Sequence, residues 1–175
     1  MEGAEMTRHA TGPANWKERV APLSDEDASR RWQWMHPWAK ESFEALAESD
    51  LDAYLDLDNL IEAATKGLLN PEDTSIALVN HPLGRRRTKW PRQAVPWIAE
   101  WKQDATTDDG CYRLYFTDAL GAHDGVDFQM LGILLCRYPD KSLKEAAQTK
   151  DIETSMDLAM RHQREHGCTL RTFPS

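Results

Sequence analysis

Cysteine is scarce in this chain: Cys111, Cys136 and Cys168 are an odd set with no CxxC pair and no framework-like spacing. A disulfide-stapled scaffold is thereby excluded, and reducing surroundings are expected. Long apolar runs are missing too. Nothing approaches the roughly 18 to 20 residues a membrane helix needs, and "MEGAEMTRHATGPANWKERV" has no signal-peptide core, so the expectation is a cytoplasmic protein with no membrane partner. No Walker loop, dinucleotide fingerprint, Ser/His/Asp motif or HExxH pattern occurs. No cofactor and no metal are expected. His162 and His166 stand four apart near Cys168, a spacing that can hold zinc, but without a second ligand cluster they read as exposed histidines near a helix C-terminus.

What is present is a chain of 175 residues, 41% hydrophobic and 29% charged, with seven tryptophans. These figures suit one soluble domain with a real core. Residues 1–28 mix Gly, Pro, Ser and charges without periodicity and read as a flexible arm, leaving 29–175 as a single domain. The net charge of −8 argues against a nucleic-acid partner, but the charge is unevenly spread. From Glu41 to Asp73 ten acids face one base, whereas from Gly84 to Gln103 six bases face one acid. An acidic segment is thus followed by a basic one.

"RRWQWMHP" alternates and stops at a proline, so Trp32 and Trp34 mark a first strand. From Pro37, apolar positions amid acids predict a helical hairpin with an acidic outer face, the second helix capped by Ser49 or Asp50 and closed by Gly67 and the "NP" at 70 and 71. Val95, Trp97, Ala99 and Trp101 share one parity and predict a strand. "DATTDDG" turns it into "GCYRLYFTDAL", where Tyr112, Leu114 and Phe116 face one way and Arg113, Tyr115 and Thr117 the other. "FQMLGILLCRY" is apolar on both parities, as in a strand covered on both faces, and Cys136 within it reads as a buried free thiol. A final helix opens with a capping box from Ser142 to Glu145, buries Ile152, Met156 and Ala159, and ends at Gly167. The order implies α+β with an antiparallel sheet.

The stretches "WIAEWKQ", "GCYRLYFT", "ILLCRYPDKS" and "KDIETSMDLAM" resemble the RelE/ParE toxin superfamily, especially its HigB-like, phage-type branch. The likeness covers roughly residues 31 to 165 and is sharpest from 95 to 160. It implies a four-stranded antiparallel sheet with an N-terminal helical hairpin and a C-terminal helix. It also implies the toxin of a toxin-antitoxin pair: a metal-independent mRNA endoribonuclease that inhibits translation, in some members on the ribosome, and is neutralised by a small antitoxin, expected here to be of HTH type. Other members poison gyrase. A catalytically silent binding module of the same fold is the remaining alternative.

In that reading a 2′-hydroxyl attacks the adjacent phosphate, and cations stabilise the charge that develops. Arg113 occupies the place of the strand arginine in the family's "Y-R-L" motif and is expected to clamp the phosphate, with Arg137 and Lys141 as basic companions. Tyr115 or Tyr138 would stack on a base or move a proton. These groups must converge on one open face; a solvated strand face or a salt bridge is the competing account of Arg113. "GRRRTKWPR", with Arg85, Arg86, Arg87, Lys89, Trp90 and Arg92, is the expected contact for RNA or the ribosome, or else a solubilising loop. His81 and His123 remain as acid/base candidates.

Overall fold

A computed structural model describes residues 31–66, 75–76, 96, 98–120, 122–123, 126–127, 129–140 and 145–170. The elements are β1 (Arg31–Trp34), α1 (Pro37–Ser49), α2 (Leu51–Thr65), β2 (Ser75–Ile76), β3 (Ala99–Asp104), β4 (Cys111–Leu120), β5 (Ala122–His123), β6 (Val126–Asp127), β7 (Gln129–Tyr138), α3 (Glu145–His166) and β8 (Thr169–Leu170). The class is α+β, as the element order suggests. The arm, Gly67, "NP", Val95, Trp97 and Ser142 lie outside the described residues.

The main sheet runs β1-β7-β4-β3-β2, with β8 added to β4, and β5 and β6 pair separately. Its β1 runs parallel to β7, while β2, β3, β4 and β7 pair antiparallel. This corrects one expectation: the sheet is mixed and larger than four antiparallel strands, while the strand ahead of the helical hairpin stands where the alternation of "RRWQWMHP" puts it. The physical reason is connection length. Both helices and the whole meander separate β1 from β7, enough chain to bring an edge strand back in either direction. Alternation in "RWQW" is the same for both.

Local chemistry places the helices. Pro37 sits in the first turn of α1, where its missing N–H costs nothing, and Ala39, Phe43 and Leu46 form the buried stripe. Asp50 joins the two helices: its N–H donates to the Leu46 carbonyl at 2.8 Å, and its carboxylate accepts from the Ala53 amide at 3.2 Å. Ala53, Leu57, Ile61 and Ala64 are the buried stripe of α2. The hairpin covers one sheet face through an aromatic core. Trp101 lies 4.2 Å from Phe116 and stacks on Trp32 at 5.6 Å, while Phe43 bridges Trp34 and Tyr54 at 5.1 and 4.8 Å between centroids. Gly132 makes room for this cluster, because a Cβ there would stand 2.5 Å from Trp32 and 2.7 Å from Trp34.

The second face carries α3, with Ile152, Met156 and Ala159 buried as the periodicity predicts. Gly167, at φ 62°, ends this helix in the left-handed conformation that glycine adopts without strain. Covered on both sides, β7 is buried from Gln129 to Ile133 and half-buried from Leu134 to Cys136. Opposite Tyr115 and Phe116 the pairing steps from Leu134 to Gly132, so Ile133 is an extra residue that bulges β7.

Candidate functional site

Strand parity and register decide where the expected site residues go. Across from β4, Arg113 is paired with Cys136 and with Lys102, whereas Tyr112 is paired with Arg137 and with Gln103. Directly opposed residues share a face, and neighbours along a strand do not. Arg113 therefore projects under α3, and Arg137 projects to the helical-hairpin side. The expected convergence of Arg113 and Arg137 on one open face does not occur. Lys141 lies outside the described residues, as do Arg85, Arg86, Arg87, Lys89, Trp90 and Arg92.

On the α3 side, Arg113 Nη1 donates to Glu100 Oε1 at 2.5 Å. The two side chains are 15% and 8% exposed, so this pair is largely withdrawn from water. Gln148 of α3 donates to the other Glu100 oxygen at 3.5 Å. Burial disfavours the charged guanidinium, but Glu100 outweighs it and holds Arg113 above its ordinary pKa. Beside the pair, Tyr138 donates to Asp151 Oδ2 at 2.6 Å, which leaves its oxygen to accept from Tyr115 across 3.2 Å. Tyr115 is fully buried. Burial, followed by the Glu100 charge, drives the Tyr115 pKa well up, and burial with the Asp151 bond does the same for Tyr138. Burial and Asp151 likewise push up the half-buried Cys136 thiol. These groups hold their protons near neutrality; stacking of Tyr115 on a base is incompatible with its burial.

The hairpin side presents a different corner. Arg137 is ion-paired with Asp108, half-exposed, and its guanidinium lies 5.8 Å from the Tyr112 ring centre. The Gly110 amide donates to Asp108 at 2.8 Å, and this bond, followed by the hydrogen bond and charge of Arg137, lowers the Asp108 pKa. Arg137 flanks an open cleft of about 360 Å³ that Ser42, Leu46, Ser49, Thr107 and Tyr112 help to line. Nearby, the buried Asp50 accepts from both the amide and the hydroxyl of Thr106, tying the α1–α2 junction to the β3–β4 turn.

Burial raises the Asp50 pKa, but the Thr106 and Ala53 hydrogen bonds outweigh it and leave the carboxyl below its ordinary 3.8. A depressed carboxylate stabilises the fold fully above its unfolded value and loses that contribution as pH falls through the folded one. Asp50→Asn is expected to cost about 1 to 2 kcal/mol at pH 7, measured by urea denaturation. The gap to the unsubstituted chain should narrow as pH falls below 3.8. An unchanged gap would refute this assignment.

His162 is buried, contrary to the expectation of exposure, and its ring stacks on His166 at 4.1 Å. Among the described residues no group of three His, Cys, Asp or Glu side chains is arranged to hold a metal. His123 lies in β5, and His81 is outside the described residues.

Sequence reasoning missed Glu100, Asp108 and Asp151. The signal for Glu100 was available in "IAEWKQ": with Trp101 facing the hairpin, Glu100 shares the other face with the Arg113 parity of the next strand. Asp108 and Asp151 carried no such signal, since a turn and a helix had first to be brought against their partners. No protein-family model, curated protein or solved structure matches this chain.

Proposed function

We propose that the chain is a binding module built on a plan that resembles RelE, without a nuclease centre formed by Arg113, Arg137, Lys141 and Tyr115. The observation that supports this most is that Arg113 and Arg137 leave opposite faces of the sheet, each paired with its own carboxylate. Phosphoryl chemistry on RNA needs donors aimed together at one phosphate, in a site prepared before reaction. A guanidinium that donates through Nη1 to a buried glutamate, with only 15% of its side chain exposed, has little left to offer a phosphate.

Two charged features remain as contacts for a protein or nucleic acid: the basic run "GRRRTKWPR" in the sequence and the acidic outer side of α1 and α2. Expression of the full chain is expected to leave growth normal, and the purified protein to leave mRNA intact with and without ribosomes. Growth arrest with mRNA cleavage, abolished by Arg113→Ala at an unchanged melting temperature, would overturn this reading and reinstate the toxin of a toxin-antitoxin pair.

A further inference from the structure

The buried stripe of α2 is Ala53, Leu57, Ile61 and Ala64. Leu51 and Leu55 precede the first two of these by two positions, about 200° around the helix, and so lie on its opposite side. They are 55% and 45% exposed, and with Trp38 they are the exposed large hydrophobic residues among those described. Single exposed leucines are ordinary; two on successive turns of one row form a continuous ridge. The same row continues to Asn59 and Glu62.

Charge specifies what can cover this ridge. Asp56 is exposed but turned towards β3, where it accepts from Gln103 at 3.1 Å. Asp52 is exposed beside the ridge, and Glu48 is exposed at the end of α1, next to the start of α2. On the two helices, Lys40 and Lys66 are each engaged with an acid of their own helix. An anionic or purely apolar surface brought here would leave those carboxylates repelled or desolvated without partners. A cationic amphipathic surface satisfies both requirements.

We propose that the outer row of α2 docks a cationic amphipathic helix of a partner protein, its apolar side chains packing on Leu51 and Leu55 and its lysines or arginines facing Glu48 and Asp52. Helix recognition of this kind reads anchors spaced three and four apart. The proposal rests on the binding-module reading and specifies the partner's chemistry.

The test uses the full chain and a synthetic 18-residue helix of leucine and lysine with one apolar stripe, followed by titration calorimetry in about 0.15 M salt. Micromolar binding is expected, weakened at least tenfold by Leu51→Ser with Leu55→Ser and about fivefold by Glu48→Gln with Asp52→Asn. Circular dichroism should be unchanged in all variants, since none of these four side chains is buried. A peptide with glutamate in place of lysine should not bind. The proposal is overturned by no binding, by binding that ignores the leucine pair, or by sedimentation showing that Leu51 and Leu55 join two copies of this chain. RNA cleavage is scored separately. A chain that leaves RNA intact but ignores the peptide defeats the docking proposal alone, and a chain that cleaves RNA defeats the module reading whatever the peptide does.

Discussion

Arg113→Ala is expected to lower the stability of the folded chain by about 2 to 3 kcal/mol. Removing one member of a buried ion pair leaves the other charged and unpaired. Here Glu100, with 8% of its side chain exposed, would retain among the described residues the long 3.5 Å contact from Gln148. The loss is set below that of a fully enclosed pair because 15% of the Arg113 side chain still meets solvent. For a chain of this length the melting temperature should fall by about 5 to 10 °C. Glu100→Ala should cost a similar amount, for the mirror reason. A phosphate clamp behaves in the opposite way: its removal abolishes activity and leaves stability unchanged or improved. Calorimetry on the two single variants separates these cases.

Trp101→Ala is expected to cost more, about 3 to 5 kcal/mol. Trp101 is completely buried on the central part of the hairpin-facing sheet, against Phe116 on β4 and Trp32 on β1. Its loss leaves a cavity that neighbours on two other strands cannot close together. The near-ultraviolet dichroism of the stacked Trp32 and Trp101 rings should disappear. If urea denaturation shows a loss below about 1 kcal/mol, the aromatic layer does not hold the hairpin to the sheet as described.

How far the sequence could be read follows from which interactions are local. Alternation in "GCYRLYFTDAL" placed Arg113 and Tyr115 on the side opposite Tyr112 and Phe116, and the structure agrees. The helical hairpin, the Asp50 cap and the Gly167 stop are likewise written within a few residues of where they act. Register is not local. Whether Arg113 and Arg137 share a face depends on how β7 slides along β4, and a slip of one residue reverses the answer. The pairing of Tyr112 with Arg137 is the one that separates the cations. Direction is not local either, so the parallel run of β1 on β7 was invisible in "RWQW". Of the candidate site, the parity of Arg113 was legible, and its partner was not.

Arg113 serves the fold through Glu100. A double-mutant cycle tests it most directly: Arg113→Met, Glu100→Leu and the two together, each measured by urea denaturation. Each single change is expected to cost about 2 kcal/mol or more, and the double variant to return to within about 1 kcal/mol of the original chain, because apolar side chains of similar volume replace a buried pair at little cost. Additive losses, or an Arg113→Met variant as stable as the original chain, would contradict it.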